Sequence, residues 1–181
     1  MTEFKKHIET NKKAWNKRTP IHIKSNFYNN EEFKKGKDSL KPIELNAIGD
    51  VKGKSLLHLQ CHFGQDSISF ARMGAKVTGV DFSDAAINEA KRIAVEMNMH
   101  VNFIESNVLD LKLNKEFDII FSSYGVIGWL PDLDKWAATI ATHLKKGGLF
   151  LLTEFHPFLD LIKDNGYDYF YDPKPDIEIE Y

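Results

Sequence analysis

Residues 55–81 read SLLHLQCHFGQDSISFARMGAKVTGVD, and this stretch decides the fold. It opens with a short apolar run at 55–60, continues through a helical segment at 66–73, and ends in a second short run at 76–81. Gly74 supplies the stop between the helix and the second run. Two buried strands joined by a helix are typical of a βαβ unit with parallel strands and a right-handed crossover.

The same alternation continues toward the C-terminus. We predict a helix capped by Ser83 and running to about residue 97, strands at 101–105, 117–122 and 149–154, and a helix at 132–144 that ends before Gly147–Gly148. Strands that alternate with helices predict an α/β fold, a three-layer αβα sandwich with a mostly parallel sheet. Such sheets bind ligands beyond the carboxyl ends of their strands.

The segments on either side of this domain differ in pattern. Residues 2–15 have helical periodicity, a turn-rich stretch follows through Pro20, and short helices are expected at 31–35 and from Pro42 to about 48. We therefore divide the chain into a helical N-terminal cap or lid (1–50), a ligand-binding domain (51–163) and the start of a C-terminal region (164–181).

Composition narrows the function classes. The 181 residues suit one domain, no apolar run approaches the roughly 20 residues of a membrane span, and the single cysteine favours a cytoplasmic protein. Residues 1–41 carry 11 Lys or Arg against 5 Asp or Glu, although the whole chain has a net charge of −2. A solvated helix face explains this basic segment better than a nucleic-acid partner, because no aromatic residues interleave with the charges.

The turn after the first strand is the first candidate site. A strand-to-helix turn gathers backbone N–H groups at a helix N-terminus, and Gly64 allows a ligand to approach the backbone. Gln60 and His62 stand where a glycine-rich fingerprint would have its first two glycines. His58, Cys61 and His62 lack zinc-site spacing, so no metal is expected.

Further polar residues follow the later strands. Asp81 ends the second strand, where a carboxylate accepts bonds from ribose hydroxyls; a helix N-terminal charge beside Ser83 is the structural alternative. Phe82 is placed for an adenine face or for the core, and Asn107 for an adenine edge or a turn. The loop that begins at Ser122 contains a hydroxyl, an aromatic ring and glycines, as binding loops do.

Together these residues resemble the class I S-adenosylmethionine-dependent methyltransferases over about residues 54–158. The resemblance rests on LLHLQCHFGQDSISFARMGAKVTGVDFSDAAI, FDIIFSSYGVIGWLPDLDKWA and LKKGGLFLLTEFHPF. The pairing of HLQCHFGQD with VTGVDFS resembles one bacterial subfamily. The resemblance implies a Rossmann-like fold, S-adenosyl-L-methionine as cofactor, and methyl transfer to an unidentified acceptor, expected to be a small molecule.

The resemblance also implies roles for individual residues, while His58 stands where the family has an acidic residue. The expected cofactor contacts are Gln60, Cys61, His62, Gly64 and Gln65 for the methionine part, Asp81, Phe82, Ser83, Asn107 and Val108 for adenosine, and Ser123 and Tyr124 near the sulfonium. The expected lid residues are Trp15, His22 and Tyr28, whose alternative is packing aromatics and a surface histidine. Candidate bases beyond strand ends are Tyr124, Glu154 and His156, and His156 alternatively just ends its strand.

The C-terminus departs from the family, whose sheet has seven strands. Residues 164–181 contain two prolines and one alternating segment, IEIEY, which is too little for two strands. We therefore expect a shortened sheet with an open edge at the fifth strand, which invites pairing into a homodimer.

Two other functions remain open from the sequence. A protein that binds S-adenosylmethionine without catalysing transfer would have the same motifs. A nicotinamide-dependent dehydrogenase would have the glycine-rich fingerprint or, in the short-chain type, a Tyr followed four residues later by a Lys. Neither is present, since Gly128 stands four residues after Tyr124.

Overall fold

A computed structural model describes residues 3–156. The helices are α1 (Glu3–Lys24), α2 (Asn30–Lys34), α3 (Pro42–Ile48), α4 (Gln65–Arg72), α5 (Asp84–Glu96) and α6 (Leu133–His143). The strands are β1 (Ser55–Leu59), β2 (Lys76–Asp81), β3 (Asn102–Glu105), β4 (Phe117–Ser123) and β5 (Leu144–Thr153). A 3₁₀ turn, Ile127–Trp129, follows β4.

The sheet has the order β3-β2-β1-β4-β5, and every pair of neighbouring strands is parallel. The chain therefore starts at the centre of the sheet, moves outward to β3, and returns past β1 to β4. This reversal beside β1 creates a crevice at the carboxyl ends of β1, β2 and β4. The predicted α/β fold, with its Rossmann-like parallel sheet, is confirmed.

Both faces of the sheet are covered by apolar side chains. Leu56 and Leu57 are fully buried neighbours on β1 that belong to different core clusters, because successive strand residues point to opposite faces. Phe70 of α4 packs in the Leu56 cluster, whereas Trp136 and Ile140 of α6 pack in the Leu57 cluster. Burial on both faces explains why these strands read as continuous apolar runs.

The prediction for the N-terminal segment was wrong in one respect. The helix continues through Pro20 to Lys24, where we expected turns after residue 15. Pro20 lies on the exposed side of α1, where water can replace the helical hydrogen bond that proline removes. The next turn of the helix is retained because its side chains pack on the core of the domain, as Ile23 does.

The fifth strand also differs in its start. We expected a strand from residue 149, but Leu144 already pairs with Phe117, and the ladder resumes where Leu149 pairs with Ile119. The two glycines of the LKKGG turn lie in the irregular stretch between these pairs, and Gly147 has a φ of 78°. Gly147 and Gly148 therefore lie in a bulge inside β5, and not before its first residue.

Within residues 3–156 the sheet ends at β5. Residues 157–163 of the expected ligand-binding domain and the region 164–181 fall outside the described residues, and with them the expected lack of the last two strands. The open edge and the homodimer therefore stay predictions. No helix of the described part is long and apolar enough to cross a membrane.

The ring of Phe103 packs closely against the backbone just before α4. Phe103 pairs with Gly79 of β2, and its ring lies under Gly64, the residue before α4. A Cβ atom added to Gly64 would stand 2.5 Å from Cζ of Phe103 and 3.0 Å from Cβ of Ala90. Glycine is therefore required at position 64 by core packing, in addition to its φ of 81°.

We predict that Gly64→Ala destabilises the fold by about 2–4 kcal/mol, since overpacking adds to the backbone cost. Gly53 is the matched control: its φ is 76°, and a Cβ there would meet nothing within 4 Å. Gly53→Ala should cost only about 1 kcal/mol. Urea unfolding of both variants measures the difference, and equal losses would refute the packing role of Phe103.

Candidate functional site

A cavity of about 600 Å³ lies at the carboxyl ends of β1, β2 and β4. The turn after β1, the end of β2, and the loops after β3 and β4 form its floor, and residues of the N-terminal segment close it. The predicted cofactor contacts that line it are Gln60, Cys61, His62, Gly64, Gln65, Asp81, Phe82, Asn107, Val108, Ser123 and Tyr124. The structure thus gathers eleven of the twelve expected cofactor contacts around one cavity.

The turn after β1 has a glycine-like backbone without the usual glycines. Gln60 has a φ of 55° and His62 a φ of 50°, both in the left-handed region. Such a conformation costs about 1–3 kcal/mol for a residue with a side chain, so the surroundings must hold it. Ser122 Oγ donates to Oε1 of Gln60 (3.3 Å), and Gln60 Nε2 donates to the carbonyl of Val126 (3.3 Å).

Asp81 is the buried carboxylate of the site, with 7% of its surface exposed. Its Oδ2 accepts the N–H of His62 (2.9 Å), and its Oδ1 accepts the N–H of Ser83 (2.8 Å). Burial nevertheless raises the pKa of Asp81 to about 6, because desolvation outweighs these bonds. The carboxylate faces the cavity with lone pairs to spare, since each oxygen accepts more than one bond.

Ser83, also expected to contact the cofactor, does not line the cavity. Its hydroxyl accepts the N–H of Ala86 (3.1 Å) as the N-cap of α5 and donates to Oδ1 of Asn16 (2.6 Å). The first bond fixes the start of α5, and the second, to a residue 67 positions away in the sequence, ties this start to α1. The structure therefore gives Ser83 a capping role.

Burial keeps three side chains of β1 and the following turn neutral near pH 7. Burial lowers the pKa of His58 and of His62 to about 3 and raises that of the Cys61 thiol well above its usual value. His58 Nδ1 is bonded to Oγ of Ser67 (2.8 Å), whereas its Nε2 has no partner in the described part of the chain. No group of three potential metal ligands converges among residues 3–156.

Aromatic rings from α1 and the following loop close the cavity. The Trp15 ring lies edge-on to His62 (5.3 Å between centroids) and to Trp129 (5.4 Å), and Tyr28 packs on His62 at 5.4 Å. Trp15 and Tyr28 line the cavity, as expected of lid residues. His22 does not line it; the ring packs behind them, 5.8 Å from Trp15 and 5.2 Å from Tyr28.

Polar contacts anchor α1 over the sheet. Asn16 Nδ2 donates to Oδ1 of Asp84 (2.8 Å), and Lys12 Nζ pairs with Glu105 (2.6 Å) and Asp84 (3.4 Å). Lys12, part of the basic N-terminal segment, is thus paired with carboxylates at the end of β3 and the start of α5. Exposed ion pairs of this kind contribute little to the free energy of unfolding, so their main effect is on the orientation of α1.

Tyr124, in the loop after β4, has a partner in α3 that the sequence did not indicate. Tyr124, with a φ of 49°, donates its hydroxyl hydrogen to Oε1 of Glu44, a residue of α3 that is only 1% exposed. Oε2 of Glu44 accepts the N–H of Lys41 (2.7 Å), whose ammonium lies over the Tyr124 ring. Glu44 also caps the start of α3 through the N–H of Lys41, and nothing in the local sequence indicates its contact with Tyr124, 80 residues away.

The other two candidate bases have different surroundings. The carboxylate of Glu154 accepts the N–H groups of Gly125, Val126 (2.8 Å) and Ile127 (3.2 Å). Burial alone would raise the pKa of Glu154, but these bonds lower it, so the group anchors the loop and is poorly suited as a base. His156 is exposed and does not line the cavity.

Asn107 and Gln65 line the cavity, but their side chains form hydrogen bonds with other residues of this chain. Asn107 Oδ1 accepts the N–H of Leu109 (3.1 Å), and its Nδ2 donates to Asp110 (3.0 Å), as in an Asx turn. Gln65 Nε2 donates to the carbonyl of Tyr28 (3.0 Å) and to Oδ1 of Asn30 (2.7 Å). Both side chains therefore shape the wall of the cavity.

Known proteins resemble the chain over this part. Residues 56–148, more than half of the chain, match the family of methyltransferase domains. A ubiquinone biosynthesis O-methyltransferase of Coxiella burnetii (strain Dugway 5J108-111) is 33% identical over 119 residues, which cover 63% of this chain and 50% of the relative. The chain thus spans about half the length of the curated relatives it matches.

Solved structures share the fold. The DhpI–SAH complex superposes with a TM-score of 0.63 at 17% identity, over 81% of this chain and 68% of that one. The glycopeptide N-methyltransferase MtfA complexed with S-adenosyl-L-methionine gives a TM-score of 0.54 at 23% identity, over 61% and 50% of the two chains. The chain therefore belongs to the methyltransferase domain family, and its fold is that of the class I S-adenosylmethionine-dependent methyltransferases.

Proposed function

We propose that the chain binds S-adenosyl-L-methionine in this cavity and transfers its methyl group to a small-molecule acceptor. The observation that carries the proposal is Asp81, a buried carboxylate at the end of β2 that faces a cavity of suitable volume. We further assign the chain to the bacterial subfamily with the HLQCHFGQD motif, with residues 1–50 as a lid, 51–163 as the cofactor domain, and 164–181 as the start of a further region.

The fit of the cofactor rests on the residues present. Asp81 would accept the two ribose hydroxyls, Phe82 would lie against the adenine, and the chain at Asn107–Val108 would border its edge. Because the amide of Asn107 is used in its own turn, we assign the edge contact to the backbone there. The turn at Gln60–Gly64 would hold the methionine part.

S-adenosylmethionine supplies a methyl group already activated on a sulfonium, so the protein needs mainly to orient an acceptor and exclude water. Trp15 and Tyr28 would exclude water from the cavity, since their rings close it from the side of α1. The backbone turn at Ser123 and Tyr124, held by Glu154 through the following N–H groups, would position the acceptor.

Tyr124 is the side chain that we assign to proton transfer from the acceptor. Its hydroxyl hydrogen is directed to Glu44, so its oxygen offers a lone pair to the cavity. An acceptor O–H or N–H can then pass its proton to Tyr124 while the tyrosine proton moves to Glu44. Burial, followed by the contact with Glu44, raises the pKa of Tyr124, so the hydroxyl is a relay and not a standing phenolate.

Asp81→Asn should weaken binding of S-adenosylhomocysteine about 10- to 100-fold, because a ribose hydroxyl loses a charged acceptor. Asp134→Asn, which removes an exposed carboxylate in the first turn of α6, is the control for net charge and should bind normally. Calorimetric titration measures both. Tight binding of NAD by the wild-type protein, without binding of S-adenosylhomocysteine, would overturn the proposed function.

Binding of adenosine should also depend on pH through Asp81. Ribose hydroxyls favour the carboxylate, so the pKa of Asp81 should fall from about 6 on binding, with release of a proton. Affinity should therefore be constant above about pH 7 and decrease as pH falls through 6. Titration of 5′-methylthioadenosine from pH 8 to 5 tests this, and the dependence should vanish in Asp81→Asn; proton uptake on binding would contradict it.

Tyr124→Phe and Glu44→Gln should lower methyl transfer more than about 100-fold and leave S-adenosylhomocysteine affinity within a factor of two, because general-base catalysis is removed without loss of a cofactor contact. The measurement is transfer of tritiated methyl to metabolite pools. Full transfer by both variants would mean that the acceptor loses its proton elsewhere.

A further inference from the structure

Asp66, in the first turn of α4, places a second carboxylate in the cavity. Ser123 Oγ donates to its Oδ2 (3.3 Å), and the nearby hydroxyl of Ser39 helps to lower its pKa. The side chain therefore lies between the loop after β4 and the N-terminal segment. Its position is separate from that of Asp81, which is held by His62 and Ser83.

Asp66 has no direct ion-pair partner among the described residues, although Lys37 and Lys41 also line the cavity. Among residues 3–156, no ion pair joins Asp66 to a Lys, Arg or His side chain. Burial raises the pKa of Asp66, and the negative charges of Glu44 and Asp38 raise it further. A carboxylate in this setting is stabilised by a cation that enters the cavity.

His58 shows that the neighbouring end of β1 supplies no such charge. The ring is 2% exposed, lines the cavity, and is neutral because burial holds its pKa at about 3. Its Nε2 has no hydrogen-bond partner in the described part of the chain, so the ring leaves a polar atom unsatisfied beside the cavity. A neutral imidazole offers one hydrogen bond to a ligand but cannot balance an ammonium.

S-adenosylmethionine carries an α-ammonium at the end opposite its adenine. On the proposed function Phe82 and Asn107–Val108 border the adenine, whereas Asp66 comes two residues after Gly64, the end of the turn that would hold the methionine part, and is bonded to Ser123. On the proposed function, we infer that Asp66 is the counter-ion of the cofactor's α-ammonium group, with Ser123 orienting its carboxylate. Asp66 then selects for the amino-acid part, and Asp81 for the ribose.

A cationic group on the methyl acceptor is the competing occupant, and the ligand series distinguishes the two. S-adenosylhomocysteine has the ammonium, its deamino analogue has hydrogen in place of the amino group, and 5′-methylthioadenosine lacks the whole amino-acid part. None of them contains an acceptor. These three compounds are titrated into wild type, Asp66→Asn and Asp81→Asn. Wild type and Asp66→Asn, each with and without the ligand's amino group, form a cycle that isolates the interaction between Asp66 and that group.

We expect Asp66→Asn to weaken S-adenosylhomocysteine about 10- to 100-fold and to leave the other two compounds within a factor of two. The deamino analogue should bind wild type more weakly than S-adenosylhomocysteine by a similar factor, and this comparison needs no variant. Asp81→Asn should weaken all three compounds. Asp134→Asn should change none of them.

Unchanged affinity of Asp66→Asn for S-adenosylhomocysteine would overturn the inference and favour a cationic acceptor. Equal weakening of all three compounds would also overturn it, since Asp66 would then only shape the cavity. Failure of the proposed function has a different signature, because wild-type protein would then bind none of the three.

Discussion

The carboxylate of Asp81 accepts the N–H of His62 from the turn after β1 and the N–H of Ser83 before α5. These bonds tie together the two elements that must converge for a site to exist. The left-handed residues of the first turn are held against the end of β2, and Ser83 is set to cap α5 and to bond α1 through Asn16. The raised pKa of Asp81 is the cost of placing this charge where a polar ligand can use it.

Much of the fold follows from residues 55–81, because a buried parallel strand, a helix and a second strand each have a distinct period. Sequence reasoning also expected the site at the strand ends, and the cavity lies there, since parallel strands bring their carboxyl ends to one edge. It failed where a residue's role depends on a distant neighbour. Gly64 is needed under α4 because of Phe103, which lies 39 residues along the chain, and nothing in the local pattern shows that contact.

Local signals were ambiguous at other positions for the same reason. Ser83 combines a cap pattern with a site position, and the structure uses its hydroxyl for the cap. Glu44 accepts the N–H of Lys41 at the start of α3 and also holds Tyr124, 80 residues away. Pro20 predicts an interruption, yet the helix continues because tertiary packing outweighs one missing bond on an exposed face.

The family match covers 56–148, but several walls of the cavity come from outside that range. Trp15, Tyr28 and Ser39 reach it from the N-terminal segment, and Glu44 reaches it through Tyr124. In our account the matched core holds adenosine, and the N-terminal segment determines what else enters. The most direct measurement is a crystal structure of the full chain with S-adenosylhomocysteine. The account predicts both ribose hydroxyls within hydrogen-bond distance of Asp81; a nucleoside bound elsewhere, or turned away from Asp81, would contradict it.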